Sequence, residues 1–219
     1  EVREQAPAAS VAILLRRTDS LSLCLQVVTL VGAVLLLVLH LAFGDPHQFW
    51  APFVRDLAQE MKTRGLPMDL EQDGLADTLA RTLWGWIAVL TMTLAMCALF
   101  LARWWQSLPE RAGSFGAEFR QVRLGRVLGV AGALVIGASL FTQQALVGDI
   151  GRLFLGSLVI VGLAAAHRAV SQGKLAVAWL WVTYALLVLV APFAVIGLAV
   201  LGFVDNWLRS QPPARSAAT

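Results

Sequence analysis

Unbroken apolar runs, most of them long enough to cross a lipid bilayer, govern what this chain can fold into. They fall at about 21–43, 82–102, 127–147, 150–166 and 175–208. An α-helix rises about 1.5 Å per residue, so about 20 apolar residues traverse a hydrocarbon layer of about 30 Å. A soluble core needs periodic apolar faces, not continuous ones. Charged residues make up 14% of the chain, against about 25% in soluble domains. The expected fold is all-α: a polytopic transmembrane helical bundle, with the membrane domain over 21–209.

The last run spans about 30 residues and carries Pro192 near its middle. One straight helix of that length measures about 45 Å, too long without a steep tilt. It is either one kinked helix or a hairpin of 175–190 and 192–208, with Pro192 in the first turn of the second arm. Charge favours the hairpin. Arg16–Arg17, the 103–126 loop, His167-Arg168…Lys174, and Arg209 with Arg215 are basic. The 44–81 segment has seven acidic against four basic residues. Placing each basic cluster inside requires an even number of crossings after Lys174. This predicts about six spans, with a cytoplasmic loop at 103–126 and an extracytoplasmic segment at 44–81. Within that segment Asp45 caps, and Pro46 begins, an amphipathic helix with Phe49, Phe53, Leu57 and Met61 at helical spacing. Spans 127–147 and 150–166 form a tight hairpin turning at Gly148-Asp149. Residues 1–20 read as a cytoplasmic stub or the end of a preceding span, and the lack of an initiator Met leads us to expect further chain before residue 1. Residues 210–219, with Pro212 and Pro213, read as a disordered tail.

Polar groups at membrane depth are the default functional candidates. Asp149 and Arg152, three apart, can pair and face a solute; Gln143 ends span three on the outer side, and Asp205 ends the last span. Gly125, Gly129, Ala133 and Gly137 repeat every four residues, a small-residue stripe for close helix packing, read first as an internal seam. In the cytoplasmic loop Arg103, Arg111, Phe115, Glu118, Phe119, Arg120 and Arg123 are candidates for contact with anionic lipid or a protein partner. His40 and His167 fall in opposite leaflets, which excludes a bis-His haem, and His47 has no ligand-spaced companion for zinc. Cys24 and Cys97 lie in apolar runs and read as small hydrophobes. The sequence holds no phosphate-binding Gly-rich loop, no Gly-x-Ser-x-Gly and no His-Glu-x-x-His. We therefore expect no enzyme activity, no cofactor, no metal and no nucleic-acid partner. Membrane lipids, another membrane protein and a small-molecule ligand are the expected contacts.

The loop wording Arg103, Trp105-Gln106, then Gly113, Phe115-Gly116, Glu118-Phe119-Arg120, Arg123 and Leu124 resembles the YybS-like predicted membrane proteins of proteobacteria. The basic loop entering a Trp-containing helix at 167–180 and the Asp205-x-Trp207 ending are similar too, although Arg209-Ser210 replaces the family's second acidic residue with Phe-Arg. That resemblance implies kinship of fold with the substrate-binding membrane subunits of vitamin transporters and with the rod-shape protein MreD. It also implies location in a bacterial inner membrane. Two functions follow as expectations: an accessory or scaffold subunit of a membrane complex, or the substrate-binding subunit of a small-molecule transporter.

Overall fold

The computed structural model describes residues 21–65, 74–110 and 113–209. Helix α1 is Leu21–Phe43, α2 Pro46–Thr63, α3 Leu75–Glu110, α4 Ser114–Phe119, α5 Arg126–Ser139, α6 Ala145–Ser171, α7 Ala178–Leu189 and α8 Ala191–Arg209. The described residues contain helices and turns only, and α1, α3, α6 and α8 are long and apolar enough to cross a membrane. Many large apolar side chains point outward, among them Leu41, Leu94, Val127, Phe141, Val188 and Phe193. Against water such exposure would drive aggregation; against lipid it is the favoured state. The chain is thus built as an integral membrane protein.

Helix α6 is the centre of the bundle. It buries Leu153, Leu158, Val161 and Ala164, and α1, α3, α5 and α8 all pack on it. Its contact with α8 is a backbone-on-backbone crossing. A methyl group at Gly162 would run into the Leu198 carbonyl, and one at Gly202 into the Leu158 carbonyl. With no aqueous hydrophobic effect between lipid-embedded helices, such close approach supplies the dispersion contacts that hold them. Halfway along the bundle, Thr29 and Ser157 share a hydrogen bond of 2.8 Å, each fully buried. Each also reaches a carbonyl in its own helix, Leu25 and Leu153 respectively. Ser157→Ala should lower unfolding free energy by about 0.6 kcal/mol in detergent, the usual value for one interhelical bond in a membrane; a loss above about 2 kcal/mol would mean that the pair does more than tie α1 to α6.

Two ends of the bundle differ in charge. Arg103, Arg120, Arg123, Arg126, Arg168 and Arg209 gather where α1 and α5 begin and α3, α6 and α8 end. There Asn206 of α8 clasps the entry to α5: Gly125 N–H donates to its Oδ1 at 2.9 Å, and its Nδ2 donates to the Gly125 carbonyl at 2.8 Å. Gly125 has φ 78°, which suits glycine. Asn206→Ala should cost about 1–3 kcal/mol, because the Gly125 N–H loses its partner in a half-buried place, while the Gly125 carbonyl keeps the bond from Gly129 N–H; calorimetric or chemical unfolding of the variant measures it.

Several expected boundaries move. The helix expected at 82–102 runs from Leu75 to Glu110. Good helix formers continue past the apolar window with no Gly or Pro before Pro109, so its hydrogen bonds continue beyond the membrane. Its Trp84 and Trp104 are about 30 Å apart along the axis, the thickness of the hydrocarbon layer. The turn expected at Gly148-Asp149 lies at 140–144 instead. Ser139 turns its hydroxyl back onto the Ile136 carbonyl, Thr142 Oγ1 accepts from Gln144 N–H, and Gly148 is already bonded helically to Gln144. The apolar stretch at 175–208 breaks at Val190. Its first arm starts beside the end of α6, where Tyr184 approaches His167, and its second arm returns to that end, where Asp205 pairs with Arg168. Helix α2 is capped by Asp45, as the Asp-Pro pair predicts. It packs its small face, Ala51, Val54 and Ala58, against Ala80 of α3 and leaves Phe49, Phe53 and Leu57 outward. The expected stub at 1–20, the tail at 210–219 and Arg111 lie outside the described residues.

Candidate functional site

The end of the bundle opposite the arginines holds a cavity of about 820 Å³. Three local decisions of the sequence build it. Helix α1 stops at Gly44, φ 75°, just after His40 has been placed on its last turn. Asp45 then turns the chain into α2. Helix α3 brings Arg81 and Thr82 up the opposite wall, while the early start of α6 sets Asp149 and Arg152 near its beginning. Thr142, Gln143 and Gln144 form the rim.

At the inner edge of the cavity sits a charged trio. Asp149 is fully buried, and its Oδ1 accepts from Arg152 Nη1 at 2.5 Å. Its Oδ2 lies 3.4 Å from His40 Nε2. The close approach of Asp149 to α3 is possible because residue 85 is glycine: a methyl there would stand 2.5 Å from Asp149 Oδ1. The His40 ring rests edge-on against Trp84, centroids 4.9 Å apart. Arg152 and His40 both line the cavity, and the Arg152 side chain keeps 27% of its surface accessible. A buried carboxylate whose guanidinium partner reaches a cavity is a functional-site candidate.

The candidates at the basic end fare differently. Arg103 clamps Glu118 through Nε at 2.9 Å and Nη2 at 2.6 Å. Phe115 and Phe119 pack with Phe100, and Phe119 also meets His167. The Arg120 carbonyl accepts from Arg168, and Arg123 is tied through its backbone to Ser22 and Gln26 of α1. This loop is thus folded onto the bundle, with the short helix α4 as its core. Asp205, expected as a polar or ligand residue, is held between Arg168 and Arg209 and fastens α8 to α6. The small-residue stripe is an internal seam in part. Gly125 and Gly129 meet Asn206, but Gly137 has no heavy atom within 4 Å; the buried continuation is Gly132, packed on Phe154. The helix turns its face by i, i+3 here, not by i, i+4.

Of the residues expected to meet a solute, Gln143 and Arg152 line the cavity, Asp149 is buried behind Arg152, and Asp205 lies elsewhere. Sequence reasoning missed His40 and Arg81. His40 was weighed only as a haem ligand, although its place four residues before a Gly-Asp-Pro stop already put it at a span's end. Among the described residues no group of three His, Cys, Asp or Glu side chains is placed to hold a metal. The chain matches no family model, no curated protein and no solved structure.

Proposed function

We propose that this protein is a non-enzymatic membrane subunit that binds a small polar solute at its extracytoplasmic end, as a substrate-binding component of a transport system does. One observation carries the reading: a solute-sized, half-polar cavity lined by His40, Arg81 and Arg152, with the buried Asp149 paired behind Arg152. Binding sites are concave, with a few convergent polar groups in an otherwise apolar wall. The scaffold reading rested on the loop at 103–126 and the small-residue stripe, and most of those side chains are spent on intramolecular contacts. The kinship with vitamin-transporter subunits implied by the loop wording points the same way.

The arginine-rich end then faces the cytoplasm and the cavity faces outward. Six passes fit this orientation. Helix α3 ends at the basic end and α6 begins at the other, which supports reading α5 as a crossing between them and α7 as one between α6 and α8. At 14 and 12 residues, these two are short crossings of about 21 and 18 Å, which locally thinned lipid and adjoining turns accommodate. We place the chain in a bacterial inner membrane.

The test is purification of the native chain in nanodiscs with mass spectrometry of what accompanies it. A stoichiometric small molecule, lost when Thr82→Trp fills the cavity, is the expected result. A stoichiometric membrane protein with no small molecule, and no effect of Thr82→Trp, makes the protein an accessory subunit and ends the solute reading.

A further inference from the structure

We propose that the cavity takes a small carboxylate-bearing anion on Arg152 and Arg81, and that its binding draws one proton onto the His40–Asp149 pair. This inference rests on the solute-binding reading above and adds the ligand's charge and its coupling to protons.

The hydrogen-bond geometry of His40 sets the argument. Its Nδ1 lies 2.9 Å from the Leu36 carbonyl. A carbonyl oxygen only accepts, so Nδ1 carries the hydrogen, and in a neutral ring Nε2 then presents a lone pair. That nitrogen lies 3.4 Å from Asp149 Oδ2. Both atoms are buried, and neither has a hydrogen-bond partner. Two acceptors this close and away from water repel; one proton shared by the pair removes that repulsion, whichever atom owns it.

The proton is dispensable while Arg152 holds the other carboxylate oxygen, because the guanidinium balances the charge. Arg152 is also the cation that an anion in the cavity would engage, since it lines the wall. A carboxylate arriving there competes with Asp149 for the same fork of donors. When Arg152 turns to the ligand, Asp149 is left as a buried carboxylate beside a lone pair, and a proton from the aqueous side restores neutrality.

The remaining charges around the site agree. From α3 the exposed Arg81 lines the same cavity and adds positive potential. From the α1–α2 turn Asp45 is the one acidic lining residue among those described, and its Oδ1 accepts from the His47 N–H. Helix α5 contributes Ser139 and no charge. The face is therefore cationic on two walls and proton-accepting at its floor.

The protein in nanodiscs is screened by thermal shift against mono-, di- and tricarboxylates and against their uncharged amides. Bound acids are then followed by calorimetry in two buffers of different ionisation enthalpy, which counts protons. We expect the acids to stabilise the protein and the amides to do so far less, with about one proton taken up per anion near neutral pH. Arg152→Gln should weaken the acid about tenfold or more. Arg81→Gln, on an exposed side chain that folding does not need, should weaken it about two- to fivefold. Asp149→Asn should bind the acid at least as well as the parent and take up no proton. Amides binding as well as acids would overturn the anion assignment and leave solute binding intact. Proton uptake unchanged in Asp149→Asn would overturn the coupling. Binding of neither class, together with a native preparation free of small molecules, would remove the solute reading as well.

Discussion

Leucine in place of Gly162 is expected to leave no correctly folded protein. The crossing of α6 over α8 brings backbone against backbone, and the atom that a side chain at 162 first meets is the Leu198 carbonyl. A flexible side chain could swing away; a helical carbonyl cannot without moving its helix. Overpacking a fitted core costs about 1–3 kcal/mol when side chains can adjust, and here they cannot. Alanine at Gly162 should therefore lose about 3 kcal/mol or more. Leucine should exceed the whole stability of about 5–15 kcal/mol available to a folded chain. Size-exclusion chromatography after detergent extraction reads the result as an aggregated peak. Gly137→Ala is the internal control: a methyl added there would meet no atom of another element within 4 Å, so replacing a helical glycine there should be neutral or gain up to about 1 kcal/mol. A monodisperse Gly162→Leu variant with a normal melting profile would refute the crossing.

The second large effect is asymmetric. Arg152→Ala should destabilise by about 1–3 kcal/mol, because Asp149 loses its counter-ion and has to take up a proton to stay buried. Asp149→Asn should cost much less, since Arg152 still reaches the cavity and remains solvated there. The double variant should recover most of the loss seen in Arg152→Ala, giving a coupling within about 0.5–3 kcal/mol. Unfolding midpoints of the four proteins in one detergent close the cycle. Equal losses for the two single variants would show that the pair is an ordinary solvated bridge.

The sequence made the helices and the membrane legible because their signals are local. No Asp, Glu, Lys or Arg interrupts 21–43, and the helix Leu21–Phe43 coincides with it. Asp45-Pro46 is a cap and a first turn in two consecutive residues, and both are used. Signals that depend on register were harder to read. The turn at 140–144 was displaced to 148–149 because Gly-Asp reads as a turn pair, whereas a helix tolerates Gly148 once Thr142 and Gln144 have closed the corner upstream. Site assembly was harder still. Asp149 and Arg152 were visible as a pair from their spacing, but His40 stands more than a hundred residues away in sequence, and only the packing of α1 on α6 brings it to them. Arg103 and Glu118 were each visible as loop charges; their mutual clamp was not, because spacing across a helix–turn–helix does not encode a distance.

The placement of α6 also bears on how the protein is made. Ribosomes deliver the chain from its amino end, so α6 enters the membrane with α1, α3 and α5 already present and its far flank still bare. That flank, with Gly162 at its centre, is covered only when α8 emerges, the last helix described. Assembly is therefore finished late, by a helix whose closing contacts at Asp205 and Asn206 come from its final turn. A chain halted at Val190 would carry nearly every membrane helix and still offer quality-control proteases an unsealed groove.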